Sequence, residues 1–273
     1  RRFLRVSEYL SGVIEHGLFY IPRIYKTKQS KPPHSKPISD QTRLNDDFYL
    51  LAGYFLSEGN VSQKHGRDGG LLFTFNIDEK EYINDVINLV RNIFKLKAHT
   101  TFRPETHSAE IAVWSSILGR LFRVLFGSTS YEKDIPSWML TAPEHKQRAL
   151  LRGFWRGDGS ITEDGYTLTT SSKALAYKME IILNRLGFFT GFYDYENKLG
   201  SGIYNVHVLG QPKSSEIFGE PWHGRNVAHR RKNGWLDNGN IYRIVRKVER
   251  IHYQGPVYNL HVKNTNSFVV PHA

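Results

Sequence analysis

The chain has 273 residues, 40% of them hydrophobic and 13% aromatic, which is enough for one large or two smaller domains with real cores and excludes a disordered tail. No run approaches the roughly 20 apolar residues that span a bilayer and no apolar segment of signal-peptide length opens the chain, so a soluble intracellular protein of the cytoplasm or nucleoid is expected, with no membrane partner. The absence of cysteine excludes disulfides, thiolate zinc sites and cysteine nucleophiles, and the net charge of +11 points to a polyanion, nucleic acid first.

Residues 1–45 form a basic segment: nine Lys/Arg stand against four Asp/Glu in 1–46. Within it, KTKQSKPPHSKPISDQTRLN (26–45) has three prolines and no helical period, and reads as a linker or extended arm. A first unit, 46–130, opens with LLAGYFLSEGNV (50–61) as a helix ending at Glu58. KHGRDGG follows as a turn, LLFTFNI as a strand, and DEKEYINDVINLVRNIFKL as a helix with Ile83, Val86, Ile87, Val90 and Ile93 on one side. KAHTTFR and AEIAVWS pair as strands, and SILGRLFRVLF closes the unit as a helix.

A second unit, 131–232, repeats this order. LLRGFWRGDGSI (150–161) is its first helix, ending at Asp158; then come TEDG as a turn, YTLTTS as a strand, SKALAYKMEIILNRLGF as a helix, and TGFYDY with IYNVHVLG as a strand pair. The result is an α+β chain of duplicated αββαββα units at a spacing of about 100 residues, a monomer with internal pseudo-two-fold symmetry. Residues 233–273 are a small β-rich flank, and 225–250 carry eight Lys/Arg against two Asp/Glu, so the two basic flanks account for the whole positive excess. They are positioned to grip phosphate backbone on either side of a nearly neutral centre.

Gly53 and Gly153 remove side chains at matching places, which lets the two helices pack closely across the pseudo-two-fold. Gly59 and Gly159 are expected in the left-handed conformation that ends a helix. Each helix then stops just after an acid, where the dipole is already negative and the penalty is roughly 0.3–1 kcal/mol. Two such ends side by side call for a divalent cation; carboxylate oxygens completed by water suit Mg²⁺, and paired metals support in-line phosphodiester hydrolysis.

LLAGYFLSEG and LLRGFWRGDG resemble the signature helices of the LAGLIDADG homing endonucleases in their single-chain, two-motif form, over about residues 46–232. The resemblance implies saddle-shaped antiparallel sheets over double-stranded DNA and terminal acids Glu58 and Asp158 holding two or three Mg²⁺ ions, for which Mn²⁺ can substitute. It also implies site-specific cleavage of both strands at a long site. Glu58 replaces the aspartate of the family name and sets its carboxylate one methylene further out; no backbone ligand is assigned at the neighbouring Ser57. KDIPSWML (133–140) is similar to the family's K-x-I-P segment, making Lys133 a candidate to stabilise developing phosphate charge or polarise a water, with a solvated surface lysine as the alternative. Lys232, beside Arg230 and Arg231, is the candidate on the other side, and all three serve equally as phosphate contacts.

Base reading is expected from alternating strand faces: Lys97, His99, Thr101 and Arg103 against packing residues Ala98, Thr100 and Phe102, and Asn205 with His207 against Tyr204, Val206 and Val208. The 12 histidines show no zinc spacing. At the ends, RVSEYLSG…FYIPR and VYNLHVKNTNSFVV resemble strands of an intein splicing domain. Arg1 and the terminal His272-Ala273 are not splicing nucleophiles, so no splicing is expected of the chain as it stands. The competing class is a non-cleaving binder of the same fold, an RNA maturase or DNA-binding regulator, for which two repelling acids serve no purpose.

Overall fold

Asn45 begins the first repeat. In the computed structural model, which describes residues 3–21, 37–64, 67–196, 200–210, 214–219, 234–237, 240–245 and 247–256, its side chain accepts the amide of Phe48 at 3.2 Å and caps helix α1 (Asp46–Glu58). Asp46 and Asp47 in the first turn complement the helix dipole. Before it lie five short strands: β1 (Phe3–Arg5), β2 (Val13–Glu15), β3 (Leu18–Tyr20), β4 (Ile38–Ser39) and β5 (Gln41–Arg43). β1 pairs with β5, and β2-β3-β4 form a small sheet whose hairpin turns at His16 and Gly17, both with positive φ. Residues 38–43 therefore do not continue the expected linker; Ile38 and Thr42 are buried, and Leu4, Phe19 and Leu44 join Ile38 in one core with Phe48.

After α1 come β6 (Gly59–Lys64), β7 (Arg67–Asn76), α2 (Lys80–Phe94), β8 (His99–Arg103), β9 (Ser108–Val113) and α3 (Ser116–Phe126). The second repeat follows with α4 (Glu144–Asp158), β10 (Gly159–Thr162), β11 (Gly165–Thr170), α5 (Lys173–Arg185), β12 (Thr190–Glu196), β13 (Gly202–Leu209) and α6 (Ser214–Phe218). The expected helices and strand pairs are all present. The first strand of each expected αββ order, to which the sequence reading gave no residues, is β6 in one repeat and β10 in the other, and Arg67–Gly70, expected as a turn, belongs to β7.

The two sheets have the same antiparallel order, β6-β7-β9-β8 and β10-β11-β13-β12. One face of each is apolar and covered by helices. In the first, Leu71, Phe73, Phe75, Ala109 and Ile111 are buried beneath α1, α2 and α3, where Phe55 and Phe122 meet edge to face at 5.0 Å. In the second, Tyr166 stacks on Phe218 of α6 at 4.7 Å and Phe192 stacks on Tyr177 of α5 at 5.0 Å. By strand alternation the polar side chains of both sheets share the opposite, uncovered face.

The hairpin β14 (Gly234–Asp237) and β15 (Asn240–Arg243) docks on the second repeat. Arg243 reaches the buried carboxylate of Glu180 at 2.8 Å and Thr190 Oγ1 at 3.1 Å. Among the described residues no helix is long and apolar enough to cross a membrane.

Candidate active site

Helices α1 and α4 form the seam between the repeats. A Cβ on Gly53 would lie 2.2 Å from the carbonyl oxygen of Leu150 and 2.9 Å from Gly153 Cα; one on Gly153 would lie 2.2 Å from the Leu50 carbonyl oxygen. Only bare backbone fits at this approach on either side.

At the carboxyl end a third glycine matters, which the sequence reading passed over. A Cβ on Gly157 would come within 2.3 Å of Ser57 Oγ and 2.7 Å of Glu58 Cγ. Glu58 thus rests against the α4 backbone one residue before Asp158. The RGDG spelling, with glycines on both sides of the acid, was the available signal.

The expectation for Gly59 and Gly159 needs correction. Both are extended, with φ −89° and −98°, and neither closes a left-handed cap. Each helix runs straight into a strand, and glycine is required for space: a Cβ at 59 would stand 2.4 Å from Phe55 Cδ2, and one at 159 would stand 2.2 Å from the Trp155 carbonyl oxygen.

Electrostatics follow from this crowding. Burial pushes the Glu58 carboxyl up to about 8, helped by Asp158 and then Glu79, with Lys133 opposing. Asp158 is raised to about 6, again by burial and against Lys133, although its residue surface opens to solvent. The solvent side moderates the Asp158 effect, so the stronger case for a proton held at neutral pH is Glu58.

Lys133 is no surface lysine. It is 3% exposed, its ammonium donates to the carbonyls of Phe55 and, at 2.5 Å, of Gly59, and it lies 3.6 Å from the Phe55 ring centroid. Burial lowers its pKa to about 7, while Asp158 and Glu58 act the other way. Its backbone is pinned from α5: Ser172 Oγ donates to the Lys133 carbonyl at 2.6 Å, and Lys178 Nζ binds Asp134 Oδ2 at 2.7 Å and the Ile135 carbonyl at 2.8 Å. A cation from the second repeat therefore neutralises the carbonyl end of the first helix.

On the acid face of the seam, two hard oxygen donors and two helix C-termini converge, an arrangement that fits a divalent cation. Among the described residues no group of three or more His, Asp or Glu makes a closed metal cage, so an ion here completes its shell with water, carbonyl or ligand oxygens. Arg156, also passed over, ties the repeats together: it donates to Asp85 Oδ2 at 2.6 Å, Tyr54 Oη at 2.8 Å and Glu81 Oε1 at 3.0 Å. Its partners lie 71 to 102 residues away, beyond any local signal.

The strand candidates fall on the uncovered faces. His99, Thr101 and Arg103 are exposed on β8, with Arg103 3.3 Å from Glu110, and Lys97 precedes them. Phe102, expected to pack beneath, is 55% exposed because β8 is an edge strand. Asn205 accepts from Thr169 Oγ1 at 2.9 Å, and His207 Nδ1 lies 3.1 Å from Thr167 Oγ1, with its pKa lowered by burial. Arg230, Arg231, Lys232 and His272 lie outside the described residues.

The family model of a LAGLIDADG-like domain matches residues 145–217. An uncharacterized protein of Methanocaldococcus jannaschii is 31% identical over 254 residues, covering 85% of this chain and 28% of that protein. An iron-sulfur cluster assembly SufBD family protein of Mycobacterium tuberculosis is 28% identical, covering 87% and 28%. A DNA polymerase of Thermococcus litoralis is 24% identical, covering 84% and 15%. The chain thus spans only 15% to 28% of the length of these curated relatives.

Among solved structures, the homing endonuclease I-DmoI in complex with DNA and Mn superposes with TM-score 0.50 at 15% identity, over 66% of this chain and all of that one. A variant of it on nicked target DNA gives 0.50 at 16%, over 67% and 99%. Matching sheet orders, the glycine-lined helix seam and this likeness agree: the chain has the LAGLIDADG homing-endonuclease fold, with both signature helices in one polypeptide.

Proposed function

We propose that the chain is a site-specific, divalent-metal-dependent endonuclease that cuts both strands of DNA at a long recognition site. The observation that carries this reading is the abutment of Glu58 on Gly157 beside Asp158, which holds two mutually unfavourable carboxyls together at the end of the helix seam. A protein that only bound nucleic acid would gain nothing from that cost.

In this reading Glu58 and Asp158 hold Mg²⁺ or Mn²⁺, two or three ions in all. Bound there, the cation supplies a polarised water and neutralises charge developing on the phosphodiester. Lys133 fixes the end of α1 and offsets the acids' charge, the uncovered sheet faces bind the DNA major groove, and the basic flanks, with Arg230, Arg231 and Lys232, hold phosphates. I-DmoI, with the same fold, is solved with DNA and Mn.

The relatives add a second thread. A like segment occupies a minor share of a SufBD family protein and of a DNA polymerase, whose names share no function. That is the distribution of a mobile insertion, and it supports the reading of the two flanks as remnants of an intein splicing domain.

The test is selection of cleaved duplexes from a randomised pool in Mg²⁺. The parent chain is expected to yield one long consensus cut on both strands, and a Glu58→Gln/Asp158→Asn variant to bind that consensus without cutting. Undiminished cutting by the double variant overturns the metal assignment, and binding indifferent to Mg²⁺ without nicking establishes a non-cleaving binder.

A further inference from the structure

The two outermost strands, β8 and β12, hold equivalent places in their sheets yet present different chemistry. Gly59 pairs with Phe73 and Gly159 with Leu168, which aligns the two sheets residue by residue. The row Thr74, Glu110, Thr101 in the first then matches Thr169, Asn205, Tyr193 in the second. Two positions along, Arg103 corresponds to Tyr195, and two back, His99 corresponds to Gly191.

Tyr193 and Tyr195 are 57% and 53% exposed on the uncovered face, next to Ile203. Tyr193 has a formed seat: a Cβ on Gly191 would stand 3.1 Å from its Cε2 and 3.3 Å from its Oη, so the ring lies back across the glycine. The remaining strand side chains described on that face include Ser160, Thr167, Thr169, Asn205 and His207, and none is Lys, Arg, Asp or Glu. On a chain of net charge +11, strand side chains that, among the described residues, include no Lys or Arg are no phosphate grip. What it can distinguish is the apolar feature of the major groove, the 5-methyl group that thymine alone presents.

We propose that Tyr193 and Tyr195 read thymine methyl groups and make the outer part of the second half-site thymine-rich, whereas the outer part of the first is read by hydrogen bonds from His99, Thr101 and Arg103. This rests on the DNA-recognising reading above.

The test is selection by binding from a randomised duplex pool, with EDTA present, for the full chain, a Tyr193→Ala/Tyr195→Ala variant and a Tyr193→Phe/Tyr195→Phe variant. Thermal melts accompany it to show that the variants fold. The parent and the phenylalanine variant are expected to enrich thymine at outer positions of one half-site, and the alanine variant to lose that enrichment there alone. Replacing those thymines by deoxyuridine should weaken parent binding about fourfold per methyl, equivalent to about 0.8 kcal/mol, and leave the alanine variant unchanged. Enrichment of G·C at those positions, equal binding of uracil and thymine by the parent, or no enrichment at all overturns the proposal. A chain that shows the methyl effect but does not cut in Mg²⁺ upholds it while sinking the endonuclease reading. A chain that cuts without a methyl effect does the reverse.

Discussion

At the scale of single residues, the proposed metal site at Glu58 and Asp158, with Lys133 beside it, sets proton binding against cation binding. Glu58 titrates near 8 in the fold against an ordinary 4.5, so between those values the folded chain holds a proton that the unfolded chain has lost. Its contribution to metal-free stability therefore declines as pH rises from about 4.5 through 8. Lys133, lowered from 10.5 to about 7, acts oppositely: the unfolded chain binds the extra proton, and stability recovers from pH 7 upward. A cation takes the proton's place only where the carboxyls have ionised. Mg²⁺ is accordingly expected to raise the melting temperature at pH 8.5 and to do almost nothing at pH 5.5. At a hundredfold excess over Kd the gain is about 2.7 kcal/mol, or roughly 5–10 °C for a chain of this size. Calorimetry with and without Mg²⁺ checks this, and in Glu58→Gln the response at pH 8.5 should shrink while that at pH 5.5 stays near zero. The same variant should stabilise the metal-free protein at pH 8.5 by about 1–2 kcal/mol, because it removes a desolvated charge facing Asp158. Both acids were legible because the spelling repeats. The burial of Lys133 was not, since it depends on Ser172 and Lys178, 39 and 43–44 positions beyond the residues they hold.

At the scale of elements, the seam between α1 and α4 tolerates no added atom on its glycines, because the opposing groups are backbone and cannot rotate away. Gly53→Ala is expected to push the helices apart and cost about 2–4 kcal/mol in a urea titration, with loss of Mg²⁺-dependent cutting as the acids separate. Arg156→Met removes the guanidinium from over the Tyr82 ring and leaves Asp85 with the Tyr54 hydroxyl at 3.2 Å in place of the arginine donor, and should cost about 1–3 kcal/mol by the same measurement. The helices were readable because apolar residues recur at their period and Asn45, Ser115 and Ser172 cap them. β6 and β10 escaped because GNVSQK and GSIT show no clean alternation and their glycines advertise turns. The fold uses those glycines to let a helix flow into a strand without a loop.

At the scale of the whole molecule, the positive charge and the side chains that differ between the two sheets occupy different places. The positive excess lies in the flanks, visible from the sequence, while the aligned inner sheets carry the differing side chains. What the sequence could not show is that the second flank is fastened to the repeat beside it, through Arg243 on the buried Glu180, with Gly234 packed against Phe189. Under the proposed function, the basic flank is to add phosphate binding that is indifferent to base identity. Replacing Arg230, Arg231 and Lys232 together by glutamine should therefore weaken DNA binding uniformly across sequences. Removing one cation from a phosphate lowers the slope of log K against log salt by about 0.9, so the triple variant should show a slope shallower by about 2.7 if all three side chains touch phosphate. Titrations over a several-fold range of salt, on a selected consensus and on an unrelated duplex, separate the outcomes. Equal weakening on both marks a phosphate grip; weakening confined to the consensus would instead place these side chains against base edges or at the cutting site, where the resemblance of Lys232 to an assisting lysine would put it.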